Sequence, residues 1–564
     1  MQEDNGHGAR SHHGHAGLLV LLAPLLTAGA ALPAGREVAP AAVDRVFAEY
    51  DRHDAPGCAL AVLRGGHVLY QHGYGMADLE HDAPITPATP FHVASLSKQF
   101  TAAALLLLVA DGRVKLDDDV RQYLPELHDF GERITLRHLV HHTSGLRDQW
   151  ELLRLAGWRH TLDLITDDDV RDVVTRQRGL NFKPGERFDY SNTGYTLLGF
   201  VIRRVSGQSL REFTTARLFA PLGMKHTHFR DDHAELVPGE AYGYAPGPAG
   251  RFRLSVTNYD TVGATSLLTT VEDLARWEAH VYEPRAGGAS LGEQLAQRGR
   301  LRSGEEMDYA FGLLHGRYRS LPVLEHGGTD AGYRAYLLRF PEQRLSIACL
   351  CNVATARPAD LVRQVADLYL ADVFPAPLPP AQRAPVAVPA AELEGKAGVY
   401  WDRAKDQIRT ITLDQGRLMM ATSREPLPLQ PLGGGRFQPG EFPVTITFEP
   451  PHGAAARLLF QEDESASVVH ERVPPFQPSR SALERYRGRY YSEELDTSYE
   501  VELQGEQLVL KRRKYAPQIL RPVAADVFVS PLGTVRFVPD AAGHPSTFLL
   551  TTARVQGLRF VRKG

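Results

Sequence analysis

Ser95-Leu96-Ser97-Lys98 places a hydroxyl and a primary amine three residues apart. At that spacing on a helix the two side chains share a face and can touch. Lysine is informative here because the chain otherwise prefers arginine: nine of its 63 basic residues are lysines. A guanidinium stays protonated at any useful pH, whereas a buried amine can lose its proton and serve as a base. Ser95 and Lys98 therefore read as a nucleophile beside its proton acceptor. A serine in the first helical turn also has the helix dipole to favour developing negative charge. The same four residues could equally be an N-cap serine with an exposed lysine, so other motifs must decide.

Two do. In Phe188-Asp189-Tyr190-Ser191-Asn192-Thr193-Gly194, preceded by Lys183-Pro184-Gly185-Glu186, a phenol and an amide stand two apart in an irregular approach and can face one cleft. Tyr190 can relay a proton if a nearby ammonium lowers its pKa, and Asn192 can hold a substrate carbonyl or fix the lysine. In Glu325-His326-Gly327-Gly328-Thr329-Asp330 the glycines are expected to leave room for a substrate backbone beside a strand. The amide of Thr329 would then join that of Ser95 as an oxyanion hole.

The order Ser-x-x-Lys, Tyr-x-Asn, His-x-Gly resembles that of the serine hydrolase family of class C β-lactamases, D,D-peptidases, related esterases and D-aminopeptidases. His142-Thr-Ser-Gly-Leu146, Tyr195-Thr-Leu-Leu-Gly199, Pro221-Leu-Gly-Met224, Leu268 to Arg276 and Tyr309-Ala-Phe-Gly312 extend the likeness, which runs from about Val43 to about Ala371. The resemblance implies acyl transfer through an acyl-enzyme on Ser95, with Lys98 and Tyr190 sharing the base role and which of them takes the proton left open. It further implies that Asn192 orients, that His326, Gly328 and Thr329 form the substrate and oxyanion strand, and that no metal or organic cofactor takes part. His326 departs from the lysine usual in β-lactamases of this class. A mostly neutral imidazole holds a carboxylate less well, which favours a peptidase or esterase over a β-lactamase. The expected substrate is a small molecule or short peptide, peptides of D-residues among them. A non-catalytic binding protein on the same fold is the alternative outside enzymology, and the intact motif set weighs against it.

Several elements must position these groups. Ser95 to Gly112 reads as one helix, apolar nearly all round and stopped by Gly112. Gly57 to Gly73 reads as a hairpin turning at Gly65-Gly66. With strand-like runs near Leu313, Tyr333 and Leu345 and a helix over about Ala359 to Leu370, the expectation is an α/β class. It takes the form of a β-lactamase-like sandwich, an antiparallel sheet flanked by helices plus a helical lobe. Beyond it the text repeats: Gly398-Val-Tyr400 recurs as Gly488-Arg-Tyr490, a shift of 90 residues, and Phe437 and Phe448 answer to Phe528 and Phe537. Two all-β copies of about 80 residues each predict two small antiparallel barrels, as in D-aminopeptidases of the family, where a barrel loop can reach the active site. The division is a leader over 1–40, a hydrolase domain over 41–373 and a Pro/Ala linker over 374–392. A first barrel over 393–473, a short linker over 474–481 and a second barrel over 482–564 complete it.

Composition bounds the rest. A length of 564 residues calls for more than one domain. A net charge of −4 without a clustered basic patch argues against nucleic acid. The apolar run from Ala16 to Ala31 has the length and small-residue ending of a signal peptide, although Glu3 and Asp4 offset Arg10 ahead of it. Export is expected, with no integral membrane segment in the mature chain. Cys58, Cys349 and Cys351 make no disulfide framework and read as small buried hydrophobes in strands. His138, His141 and His142 lack a metal-ligand spacing and are assigned to a structural turn before Gly145. Asp117–Asp119 and Asp167–Asp169 are assigned to helix N-termini. Tyr242 and Tyr244 either line the cleft or pack.

Overall fold

The computed structural model describes residues 37–282, 291–374, 388–421, 426–439, 444–452, 455–462 and 467–563. The expected leader lies outside these apart from residues 37–40, as does most of the Pro/Ala linker.

The first described elements are a short helix α1 (Pro40–Val46), then the expected hairpin of β1 (Cys58–Arg64) and β2 (His67–Tyr74). Four strands from far along the chain complete the sheet: β3 (Leu314–Tyr318), β4 (Leu321–Asp330), β5 (Tyr333–Phe340) and β6 (Leu345–Cys351). All pairings are antiparallel, in the order β3-β4-β5-β6-β1-β2. Strand β1 is central and buried on both faces, which is why it reads as an unbroken apolar run rather than an alternating one. Cys58, Leu60 and Val62 pack with Val43 and Phe47 of the N-terminal segment and with Leu361, Val362 and Val365 of the C-terminal helix Pro358–Tyr369. Ala59, Ala61 and Leu63 face the opposite core, whose centre is the helix α2 (Lys98–Ala110).

The cysteines differ from expectation. Cys58 sits opposite Cys351 in the β1–β6 register, and the two are joined as a disulfide. Cys349 remains a buried thiol, its sulfur 3.6 Å from that of Cys351. Strand register between segments 293 residues apart decides which cysteines meet, and that register is a product of tertiary folding.

Helix α2 differs from expectation by one turn. Ala94–Ser97 forms a 3-10 turn and the α-helix begins at Lys98. Eleven of its thirteen residues are buried, from Lys98 to Leu108. The helical lobe between β2 and β3 contributes α3 (Gln149–Ala156) and α4 (Asn192–Ser206), ended by left-handed Gly157 and Gly207 respectively. Asp119 caps the turn Val120–Gln122, and Asp167–Asp169 form the first turn of the helix that Thr166 caps.

The two repeats are closed eight-stranded antiparallel barrels, running from Gly398–Asp402 to Val468–Val473 and from Gly488–Ser492 to Leu558–Lys563. The recurring residues have recurring jobs. The hydroxyls of Tyr400 and Tyr490 each donate to a carbonyl four residues earlier, on Lys396 and Tyr486. A Cβ on Gly398 or Gly488 would stand 2.7 or 2.8 Å from the guanidinium of Arg472 or Arg562, so the repeated glycine admits the repeated arginine. The second barrel docks on the lobe. Tyr499 Oη donates to Leu155 O at 2.7 Å, Arg512 Nη1 to Arg154 O at 2.7 Å, and Tyr515 Oη to Trp158 O at 2.6 Å. The first barrel joins the second through the Arg536–Asp406 ion pair and the Trp401, Val473, Val523, Val527 cluster.

Candidate active site

Ser95 stands in the 3-10 turn at the head of α2, where its amide has no acceptor within the helix. The preceding Ala94 is held at φ 48°, a left-handed conformation that a non-glycine residue keeps only when its surroundings enforce it. Strand β4 is the enforcing neighbour. A Cβ on Gly328 would lie 2.2 Å from Val93 O and 3.2 Å from the Ala94 Cβ. The glycine therefore lets the strand close against the turn that carries Ser95. The expectation that this glycine clears a path for substrate is corrected accordingly: its bare face meets protein. Thr329 follows directly on the same strand.

Lys98 Nζ donates to Ser95 Oγ at 3.1 Å, to Asn192 Oδ1 at 2.9 Å and to Ala264 O at 2.7 Å. The lysine is completely buried. Burial pulls its pKa down to about 7, against the opposing pull of Asp148 and with a smaller push in the same direction from Arg554. Its ammonium is 4.9 Å from the centre of the Tyr190 ring. Burial raises the Tyr190 phenol, while its interaction with the Ser95 hydroxyl draws it back. At neutral pH the amine is the group of the two that can be unprotonated.

Asn192 opens α4, and both its backbone N–H and its Nδ2 donate to Asp148 Oδ2 at 2.8 Å. That pairing turns Asn192 Oδ1 toward Lys98 and resolves the open choice for this residue: it fixes the lysine. Asp148 is a site residue that sequence reasoning missed. Its other oxygen accepts from Trp150 N and Glu151 N as the N-cap of α3. An Asp before a helix is an ordinary cap signal, and nothing in the sequence marks its second oxygen.

His326 is buried on β4 with both ring nitrogens engaged. Nδ1 lies 2.7 Å from Gly327 O, so it carries the hydrogen and donates. Nε2, 3.2 Å from the Tyr309 hydroxyl, then accepts. Burial, aided by Lys98, depresses its pKa to about 4. The imidazole is neutral at pH 7. His142, assigned from sequence to a turn, does occupy one at φ 56°. Its ring also lies against that of Tyr190, tilted by 31° with centroids 4.2 Å apart, and it accepts from Ser191 N through Nδ1. Tyr244 packs, its hydroxyl accepting from Leu79 N, while Tyr242 is exposed.

The second barrel reaches this site. In the loop between Pro545–Thr551 and Leu558–Lys563, Val555 is fully buried. Arg554 O accepts from Asn181 Nδ2 at 2.9 Å and from Asp148 N at 3.4 Å. The Arg554 guanidinium lies 5.3 Å from the Tyr190 ring centre. Arg147, next to Asp148, is buried and paired with Glu494 of the barrel at 2.6 Å. A separate surface cavity of about 520 Å³ beside Phe182, Lys183 and Arg302 contains none of these groups. Among the described residues, the possible metal-ligand groups are the cysteine cluster and Asp232, His233 and Asp260 on the surface. Neither touches Ser95 or Lys98.

The arrangement can take the proton of a serine onto a buried amine as the serine oxygen attacks a carbonyl carbon, and can present the Ser95 amide at the head of α2 to the oxyanion that forms on the carbonyl oxygen. The beta-lactamase family model matches residues 43–371. Over 305 residues the chain is 32% identical to a D-aminopeptidase of Gluconobacter oxydans, covering 54% of this chain and 57% of that relative. It thus spans little more than half of that relative's length. Over 432 residues it is 28% identical to penicillin-binding protein 4* of Bacillus subtilis, covering 74% of this chain and 94% of that one. The octameric penicillin-binding protein homologue from Pyrococcus abyssi shares the fold. Its TM-score is 0.53 at 22% identity, covering 84% of this chain and 98% of that one.

Proposed function

The chain belongs to the beta-lactamase family, and on that premise we propose that it is a serine hydrolase that forms an acyl-enzyme on Ser95 and cleaves amides or esters of small substrates, including peptides of D-residues. The observation that carries this reading is the buried Lys98 amine 3.1 Å from Ser95 Oγ, with its pKa drawn to about 7. In the reaction, Ser95 Oγ attacks the carbonyl carbon while its proton passes to neutral Lys98 Nζ. The tetrahedral oxyanion takes the amides of Ser95 and Thr329, and each such donor is worth about 3 kcal/mol. As the bond to the leaving group breaks, the Lys98 ammonium returns the proton to it, and Tyr190 beside Ser95 can carry it. Water then attacks the acyl-enzyme by the same proton route, regenerating Ser95 and releasing the acid.

The name of the D-aminopeptidase relative supports peptides of D-residues as substrates, and neutral His326 supports a peptidase or esterase over a β-lactamase. The test is hydrolysis of a short acyl ester, a D-alanine anilide and a cephalosporin, with Ser95→Ala as the blank. Ser95-dependent turnover of the anilide is expected. Absence of Ser95-dependent turnover on all three would remove the reading and leave a binding protein.

Export is part of the proposal. The apolar run from Ala16 to Ala31 supports it, and so does the Cys58–Cys351 disulfide, because such bonds persist in oxidising compartments. Thiol titration of protein purified from its native host and unfolded without reductant should find one thiol of three; three would contradict export.

A further inference from the structure

We propose that Asp330 is a positioning residue: its buried carboxylate, at the end of β4, holds both Ser95 and Lys98 in place by way of Thr265 and His92. The proposal rests on the serine-hydrolase reading and adds to it the groups that fix its two reacting side chains.

Asp330 lies two residues beyond Gly328, so both point to the face of β4 that meets the Val93–Ala94 turn. A carboxylate buried there needs hydrogen-bond donors. Oδ1 is 2.9 Å from His160 Nε2 and accepts from the Tyr259 hydroxyl at 3.1 Å, while Oδ2 accepts from Thr265 Oγ1 at 3.3 Å. Burial pushes the carboxyl up, and these partners, led by His160, outweigh it and hold it below the usual carboxylate range. Asp330 is therefore an anion at neutral pH.

The hydrogens behind it have fixed places. Burial depresses His92 to about 4, against the opposing pull of Asp330, so its ring is neutral with one N–H. Nδ1 accepts from the Ala94 amide at 3.3 Å, which leaves the hydrogen on Nε2, 3.4 Å from Thr265 Oγ1. The Thr265 hydroxyl accepts there and gives its own hydrogen to Asp330. The run thus starts at Ala94, the residue held at φ 48° immediately before Ser95.

Thr265 also belongs to a segment bound to the head of α2 on both sides. Ala264 O accepts from Lys98 Nζ at 2.7 Å, Leu267 N donates to Ser97 Oγ at 3.1 Å, and Leu267 O accepts from Val93 N at 3.0 Å. Between them Ser266 sits at φ 74°, a left-handed conformation that its surroundings must enforce. One carboxylate thus ties together the turn that presents Ser95, the carbonyl that fixes Lys98 and, through its own peptide bond, the place of Thr329. Its charge has a further effect. Burial lowers the Lys98 pKa with help from Arg554, while Asp148 and Asp330 oppose it. Removing the Asp330 charge without moving the backbone therefore frees the amine at lower pH.

The test is steady-state hydrolysis by the full chain of whichever is turned over fastest among the short acyl ester, the D-alanine anilide and the cephalosporin. Thr265→Val, Thr265→Ser and Asp330→Asn are compared with the wild type after circular dichroism has shown each to be folded, and Ser95→Ala rates are subtracted. Thr265→Val keeps the shape and loses the hydroxyl. It should lower kcat about tenfold or more and leave KM within about twofold, as lost positioning does, and Thr265→Ser should restore most of the rate. Asp330→Asn should lower kcat likewise and move the midpoint of the kcat/KM curve to lower pH, a shift that lost packing alone does not produce. Where Asp330→Asn does not fold, the Thr265 pair decides. Wild-type kcat in Thr265→Val, equal losses in Thr265→Val and Thr265→Ser, or an unmoved midpoint in Asp330→Asn, with Ser95-dependent turnover intact in the wild type, overturns this inference alone. Absence of Ser95-dependent turnover on all three substrates overturns the hydrolase reading and this inference with it.

Discussion

In the proposed reaction Lys98 can act as the base because the protein withholds water from it while two acceptors, Asn192 Oδ1 and Ala264 O, hold its nitrogen 3.1 Å from Ser95 Oγ, whose proton the neutral amine takes. Desolvation penalises the charged form and those acceptors hold the nitrogen in place, so a strong base becomes a usable one. Asp148 supports this from one step away, since it orients the amide that orients the amine. Asp148→Ala should lower kcat more than it raises KM, by about tenfold or more through lost positioning. It should also cost about 1 kcal/mol through the lost cap of α3. Steady-state kinetics and denaturant midpoints check the two effects. At this scale the sequence was informative where one residue type excluded another, as with lysine in an arginine-rich chain. It was silent on Ala264 and Asp148, whose roles depend on which loop lies beside which helix.

The elements around the site show why its parts arrive together. Helix α2 is buried nearly all round, so the sheet, the lobe and the strand β4 all pack against it. Its first turn, and Ser95 with it, is fixed from several sides. Gly328 sets how near β4 can come. Gly328→Ala would place a Cβ 2.2 Å from Val93 O. The expected result is a loss of about 3 kcal/mol of stability together with most of the activity, measured by urea unfolding and ester hydrolysis. Unchanged stability would show that β4 has room to spare. The hairpin at Gly65-Gly66, the buried helix and the apolar strands were legible in the sequence because periodicity and turn residues are local signals. The direction of Gly328's bare face was not, because the Val93 turn it meets is more than 200 residues away. The Cys58–Cys351 bond was hidden for the same reason.

At the scale of the molecule, the second barrel is joined to the helical lobe by a shared core and by a buried ion pair. Glu494 reaches Arg147 beside Asp148, and Val555 packs into the cluster that includes α2 and α3. Glu494→Ala leaves the guanidinium buried without its carboxylate, a loss of about 3 kcal/mol. It should also lower kcat, because Arg147 and Asp148 are adjacent. Thermal unfolding would show whether lobe and barrel then melt separately, as a weakened junction requires. The two barrels were readable as a repeat because glycine, tyrosine and phenylalanine return at the same places in each. Their reach into the site was not, because loop 552–557 carries no motif and finds its partners, Asn181 and Asp148, only in three dimensions.

The central claim is that Ser95 is a nucleophile activated by an amine with a pKa near 7. It is tested most directly by following fluorophosphonate labelling of the full chain against pH, with the adduct mapped by mass spectrometry. Because the Lys98 pKa is depressed to about 7, the active, unprotonated form accumulates as pH rises. The labelling rate should therefore climb through a midpoint near 7 to a plateau, with a single adduct on Ser95, and it should fall at least a hundredfold in Lys98→Arg, the order of magnitude that general-base catalysis supplies. An adduct elsewhere, or a rate on Ser95 that Lys98→Arg leaves unchanged, would contradict the account.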